Sequence, residues 1–384
     1  MKDKKLAIIT DCIHMYDKDG NVVTENHIFR KQIQAIAAMF SETLICCPFD
    51  TFSNNKVASV YCQNNIRFVS LPNVGGSSIK DKLKLISTIS VWLRAFKKAD
   101  KFADIVYQRF PNNVNIPGGF YFFIKRKNVF ATYTGTWKNY KGEPLTYRLQ
   151  KWFLRRLFRG PVFIYTEKEP AGKKLIKSFS PSFTNEEWLR EEALVEKKIA
   201  KLKSNKIEAP VFITVGSLQH NKNQQYILNA FKILNEQNFL FKLFIVGDGP
   251  LKDSYHKFIN DNNLADKVVL TGKKTDVELK ELYRQSDFII QAPIAEGFGK
   301  VPIEGFCHGI VPILSATALA GEMIGNNHTR GYLFKLGEVN TLVSVIKKIE
   351  LEQHKLPAMI QEGRIFVQKY TIDNWVGIFS KVLH

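Results

Sequence analysis

One rhythm constrains this chain more than any other feature. Short apolar runs rich in β-branched and aromatic residues alternate with longer helical patterns from end to end. In the first half the strand candidates are LAIIT (6–10), TLICC (43–47), RFVSL (67–71), DIVYQ (104–108), VFATY (129–133) and VFIYT (162–166). A helical pattern over 25–39, with Thr24 as its N-cap, lies between the first two. The second half restarts with VFITVG (211–216), KLFIVG (242–247), KVVLTG (267–272), DFIIQ (287–291) and VPILS (311–315). Several of these strands run straight into glycine, as tight strand-to-helix turns require. Strands that are apolar throughout are buried on both faces, which predicts parallel sheets covered by helices. The fold class is therefore α/β, with two doubly wound domains. The polar stretch 180–210 carries no strand signal and ends at Pro210, so the boundaries are set at 1–195 and 196–370.

A chain of 384 residues with 45% hydrophobic content can fill two cores. No apolar run reaches the ~18–20 residues that span a bilayer. The N-terminal apolar run is too short for a secretory signal and reads as a first strand, giving a cytoplasmic chain. Cys12, Cys46, Cys47, Cys62 and Cys307 show no C-x-x-C pairing. They read as buried free thiols of a reducing compartment, and no metal site is expected. The formal net charge is +19, and residues 1–195 supply +14 of it, from 31 Lys and Arg against 17 Asp and Glu. The first half therefore faces an anionic partner.

Three stretches carry chemistry. In VFITVGSLQHNKNQQYILNAF (211–231) a strand enters Gly216, a polar loop follows and a helix begins near Asn223. A lone lysine is ordinarily solvated, but Lys222 sits at a helix N-terminus, where the backbone already favours anions and a full charge suits a diphosphate. In LFIVGDGPLKDSYHKFI (243–259) a strand closes at Gly247 and Pro250 opens a helix; alone this is a tight turn. In EGFGKVPIEG (296–305) the chain turns through Gly297, Phe298 and Gly299 into a helix near Val301. Backbone N–H groups around Gly299, Lys300 and Val301 can cradle phosphate oxygens. Glu304 could merely complement the helix dipole, and Glu296 could be an ordinary loop acid. Together they flank an anion cradle, which suits a ligand whose diphosphate lies between two hydroxyl-rich sugars.

Taken in order, GSLQHNK, IVGDGP, LTGKKTDVELKELYRQSD and EGFGKVPIEGFCHGIVPI resemble the C-terminal domain of retaining glycosyltransferases of family 4, also called group 1. The likeness covers about 211–335. It implies the GT-B architecture, two Rossmann-like parallel-sheet domains facing across a cleft, with residues 371–384 returning to the first domain. It implies a metal-independent hexosyltransferase with no cofactor beyond its co-substrate, a UDP-sugar by preference or a GDP-sugar. Lys222 would bind the donor diphosphate and stabilise the leaving group. Glu296 would hold hydroxyls of the transferred sugar and Glu304 those of the ribose. Gly216, Ser217, Gly247 and the backbone from Gly297 to Val301 would line the donor, and Lys273 the nucleobase. On the acceptor side fall Gly20 and Asn21 in the first-strand loop, and Thr134. Two positions depart from the family pattern: Ser217 replaces an arginine, and Thr134 replaces a histidine.

The surplus of positive charge has two addresses. EPLTYRLQKWFLRRLFRGP (143–161) reads as a helix on which Arg148, Lys151, Arg155 and Arg159 form one stripe, at about 100° per residue. FYFFIKRKNVF (120–130) sets aromatics beside Lys125, Arg126 and Lys127. A solvated basic face is one reading. The other is a patch for an anionic membrane surface or for a glycan acceptor on a polyprenyl diphosphate, on the inner face of the plasma membrane in surface polysaccharide biosynthesis. Three rivals remain: a UDP-N-acetylhexosamine epimerase of the same fold, a non-catalytic transferase-like subunit, and a nucleic-acid-binding protein. The last finds no helix-turn-helix, zinc-finger or RNP pattern, so nucleic acid is not an expected partner.

Overall fold

The eleven expected strands all form. The structure is a computed structural model that describes residues 1–51, 58–73, 79–139, 143–166, 170–294, 299–317 and 320–383. It divides into two units, Met1–Pro181 with Ile372–His384, and Ser182–Thr371.

In the first unit the sheet strands are β1 (Lys5–Ile9), β2 (Glu42–Pro48), β3 (Ile66–Leu71), β4 (Ile105–Phe110), β5 (Asn128–Tyr133), β6 (Val162–Tyr165) and β7 (Leu175–Ser178). They pair in the order β7-β6-β5-β4-β1-β2-β3, every pair parallel. Alternate residues of β1 serve the two faces: Ala7 and Ile9 join one core, Leu6 and Ile8 the other. A small antiparallel sheet of Met15–Tyr16, Val22–Thr24 and Ser59–Val60 was not foreseen, because strands of two or three residues leave no periodic signal. The first helix is His27–Ala37, and its cap is Asn26 rather than Thr24: Asn26 accepts from the Phe29 N–H. Thr24 is buried and its hydroxyl donates to the Ile13 carbonyl at 2.9 Å.

The helix Ile372–Leu383 belongs to this unit. Its Trp375 and Phe379 are buried, and the Phe379 ring lies 4.1 Å from that of Phe163, centroid to centroid.

The second unit holds β8 (Val211–Val215), β9 (Lys242–Val246), β10 (Val268–Gly272), β11 (Phe288–Gln291), β12 (Val311–Ser315) and β13 (Tyr332–Phe334). Their order is β10-β9-β8-β11-β12-β13, again wholly parallel. Both units therefore repeat one winding, in which strand order reverses beside the first strand. The division falls after Pro181, ahead of the expected 195/196. The reason is the helix Asn185–Ser204, opened by a Thr184–Glu187 capping box, which stays whole and packs through Val195 into the core of the second unit.

Three of the cysteines, Cys46, Cys47 and Cys307, are buried as expected; Cys12 is half-buried and Cys62 exposed, and all five are free.

Candidate functional site

In a doubly wound sheet, ligands lie beyond the carboxyl ends of the strands where the order reverses. In the second unit that point lies between β8 and β11, and the chain reinforces it. The Ile294 N–H donates to the Asn221 carbonyl at 3.0 Å, joining the loops that follow these two strands. Gln291 donates from Nε2 to the Val215 carbonyl at 3.2 Å.

The turns after β8, β9 and β10 are laced in series. Gly216 N–H donates to Val246, Gly247 N–H to Gly272, and Leu218 N–H to Asp248, each at 3.0 Å. Gly247 has φ of 142°, and a Cβ there would lie 1.9 Å from the Gly216 carbonyl oxygen, so only glycine fits. Gln224 is buried and donates from Nε2 to the Ser217 carbonyl at 3.1 Å. Ser217 itself is exposed on the same loop.

Lys222 ends the turn His220–Lys222, after which Asn223, at φ 56°, swings the chain into the helix Gln224–Glu236. A Cβ on Gly216 would meet Lys222 Cγ and Cδ at 3.7 Å, so the lysine stem runs alongside this glycine. Lys273 is exposed just beyond Gly272, on the same edge of the sheet.

Gly299 caps the helix Lys300–Cys307 without a side-chain hydrogen bond. Pro302 stands third in that helix and has no N–H, so Lys300 and Val301 carry the N–H groups of its first turn. Glu296, Gly297 and Phe298 lie outside the described residues. Glu304 is half-buried, and its Oε2 accepts from the Tyr283 hydroxyl at 2.8 Å. Burial, and then the neighbouring Glu304 carboxylate, push the Tyr283 phenol far above its usual range, so it remains a donor. The Tyr283 ring stacks on His308, whose Nδ1 lies 3.0 Å from Glu191 Oε2. Burial weighs against the charge on Glu191, but hydrogen bonds from His308 and Arg284 hold its pKa down to about 2. Tyr283 was missed in the sequence reading. Its only signal there is a tyrosine four residues after Leu279, on the apolar side of an amphipathic helix.

In the first unit the reversal lies between β1 and β4. A cavity of about 390 Å³ opens there, lined by Thr10 and Asp11 after β1, Arg109 and Pro111 at the end of β4, and Thr134 after β5. The Thr134 hydroxyl donates to the Phe110 carbonyl at 3.2 Å, so its proton is engaged and it faces the cavity as an acceptor. Gly20 and Asn21 do not line this cavity. They form the hairpin turn between Met15–Tyr16 and Val22–Thr24, where Asp17 accepts from the Asn21 N–H at 2.8 Å and Gly20 takes φ of 79°.

The basic stripe is corrected. Lys151 is fully buried, paired with buried Glu143, and its Nζ donates to the Trp137 and Lys138 carbonyls. The helix spans Leu145–Arg156, so Arg159 lies beyond it, its guanidinium 4.7 Å over the Phe123 ring. Arg148 lies 3.7 Å from Glu143 Oε2, and Arg155 sits 4.5 Å over Trp137. Lys127 donates to the Asp100 carbonyl at 2.8 Å. Lys125, Arg126, Arg148, Arg155 and Arg156 still reach the surface, beside exposed Ile124, Leu145, Leu149 and Trp152. Among the described residues no helix is long and apolar enough to cross a membrane.

Residues 196–366 match the family model of the glycosyl transferases group 1. One relative is the UDP-Gal:alpha-D-GlcNAc-diphosphoundecaprenol alpha-1,3-galactosyltransferase of Escherichia coli, 26% identical over 158 residues, 40% of this chain and 39% of that protein. Another is an N-acetylgalactosamine-N,N'-diacetylbacillosaminyl-diphospho-undecaprenol 4-alpha-N-acetylgalactosaminyltransferase of Campylobacter jejuni, 30% identical over 145 residues, 38% of each chain. The alignments thus span less than half of these relatives. The structure of HepE from Anabaena, solved with UDP and glucose, superposes with a TM-score of 0.71 over 99% of both chains at 15% identity. A sucrose-phosphate synthase from Thermosynechococcus elongatus gives 0.71 over 99% of both chains at 16%. The fold is GT-B.

Proposed function

We propose that this chain is a glycosyltransferase that moves a hexose-type sugar, with retention, from a nucleotide-diphosphate sugar to a hydroxyl of a glycan or polyprenyl-diphosphate-linked glycan. One observation carries the reading. Gly216, Lys222, Gly247 and the N-terminus of the helix Lys300–Cys307 gather at the carboxyl edge of one sheet, where its strand order reverses. The family match covers this same region.

In this reading Lys222 and the N–H groups of Lys300 and Val301 bind the diphosphate, and their charge stabilises it as it leaves. Glu304, oriented by Tyr283, accepts from ribose hydroxyls, and Glu296 from hydroxyls of the transferred sugar. The departing diphosphate takes the proton of the incoming hydroxyl, and no metal is required. Anabaena HepE with bound UDP, and the UDP-Gal in the name of the E. coli relative, favour a UDP-sugar. The diphospho-undecaprenol in two relatives' names favours a lipid-linked acceptor in polysaccharide assembly. The exposed residues Arg148, Arg156, Leu149 and Trp152 would then rest on an anionic membrane at its cytoplasmic face.

The test is calorimetry with UDP, GDP and ADP, followed by transfer assays with the sugar donors of whichever nucleotide binds. Micromolar binding of one nucleotide, weakened in Lys222→Ala, supports the reading. Full transferase rates in both Lys222→Ala and Glu296→Ala would sink it. Failure to float with anionic liposomes at moderate salt would remove the membrane element alone.

A further inference from the structure

The cavity at the strand reversal of the first unit holds an arginine with an unusual set of partners. Arg109 is half-buried at the end of β4, between the buried residues Gln108 and Phe110. Its Nη1 donates to Gln32 Oε1 at 3.1 Å and to the Tyr107 hydroxyl at 3.4 Å, and its guanidinium stacks 4.8 Å over the Phe29 ring. All three partners are neutral. Among the described residues no carboxylate lies within 4.0 Å of this guanidinium, although Asp11 and Glu25 line the same cavity. Withdrawing a guanidinium from water is costly unless a counter-charge is supplied, and these contacts orient it without supplying one. They also use a single nitrogen, which leaves the planar fork able to bind an oxyanion in two-point fashion.

We propose that Arg109 is the anion-recognising residue of the acceptor pocket, and that the acceptor is a monosaccharide unit bearing a phosphoryl or carboxylate group. The inference rests on the transferase reading above and assigns it a substrate class. The volume of about 390 Å³ suits one sugar ring. Exposed Asp11 stands on the same wall as a hydroxyl acceptor, so the pocket offers one cation and carboxylates in place of a uniform field. That mixture disfavours a bare polyanion and suits a ligand with hydroxyls beside one charged group. Thr134 contributes lone pairs to the same hydroxyls.

The test uses the full chain saturated with UDP, so that the phosphate site of the second unit is occupied. Binding of glucose, glucose 1-phosphate and glucuronate is measured by calorimetry, for wild type, Arg109→Gln and Arg109→Lys. In wild type both charged sugars should bind about tenfold to a hundredfold more tightly than glucose, the scale of hydrogen bonds to a charged group. Arg109→Gln should abolish that preference. Arg109→Lys should keep part of it, which guards against a simple loss of folding. A polyprenyl-diphosphate-linked glucose in detergent separates the sources: if it alone binds, the phosphoryl group is the lipid carrier's. Equal binding of the three soluble sugars together with the lipid-linked one, or a preference that survives Arg109→Gln, would overturn the proposal. A chain that fails to bind UDP but still discriminates charged sugars through Arg109 would keep this inference and end the donor-site reading.

Discussion

The Tyr283 hydroxyl donates to Glu304 Oε2 across 2.8 Å, so a buried phenol on one helix fixes a half-buried carboxylate on the next. Tyr283→Phe keeps the ring against His308 and deletes only this bond. A freed carboxylate samples other rotamers, and a hydrogen bond to a charged group is worth roughly 1.5–3 kcal/mol. UDP affinity should fall about tenfold, and 2'-deoxy-UDP should lose less, because Glu304 is assigned to the ribose. Calorimetric titration of both nucleotides checks this. Equal losses would place Glu304 elsewhere on the ligand.

Lys222 lies alongside Gly216, where a strand ends and a helix begins. Its charge matters most when negative charge grows on the leaving diphosphate. Lys222→Ala should therefore lower kcat/KM by about 10²–10³, with a smaller loss of UDP affinity. The thermal midpoint should hardly move, since the side chain is not part of either core. A rate loss matched entirely by a rise in KM would mean uniform binding without transition-state preference.

Two glycines at neighbouring strand ends should behave differently. Gly247 has φ of 142°, with a Cβ position 1.9 Å from the Gly216 carbonyl oxygen, whereas Gly272 has φ of 71° and open space around it. Gly247→Ala must displace backbone that also carries the Lys222 loop. It should cost more than about 3 kcal/mol and weaken UDP binding. Gly272→Ala carries only the left-handed strain, about 1–2 kcal/mol. Urea unfolding of the two variants gives the comparison directly.

Eleven strands of the two large sheets were legible because they are mostly apolar, which leaves few alternatives to a buried parallel strand. Leu175–Ser178 and Tyr332–Phe334, at the sheet edges, are too short to leave that signal. The site was legible in position, since Gly216, Lys222, Gly247 and Gly299 mark strand ends and helix starts. What the sequence hid were partners from elsewhere in the chain. A helical wheel gives the direction of Lys151 but cannot show that Glu143, outside the helix, waits there to bury it. Nor could it show that Tyr283 reaches Glu304. Arg109 did leave a trace: a charge beside Gln108, at the end of a strand whose other residues are apolar or aromatic. Thr24 and Asn26 are both good caps by residue type, and only the Phe29 N–H contact decides between them.

His14 supplies the acid sensitivity expected of the first unit. It is fully buried within contact of Phe29, Phe49, Tyr61 and Phe68. Nδ1 lies 2.8 Å from the Cys12 carbonyl, so that nitrogen carries the proton, and Nε2 accepts from the Tyr61 hydroxyl at 2.9 Å. Burial outweighs the help of the carbonyl and lowers its pKa to about 4, from 6.5 in the unfolded chain. Between those values the unfolded state binds the extra proton, so stability is intact above pH 6.5 and falls as the pH drops toward 4. The loss is on the order of 3 kcal/mol. His14→Phe removes the titration while keeping an aromatic ring in the box, at the cost of leaving the Tyr61 hydroxyl unpaired. The variant should be less stable than wild type at pH 7.5 and should lose less on going to pH 4.5. Urea unfolding of both proteins at the two pH values measures that difference, and parallel losses would show that His14 is not the titrating group.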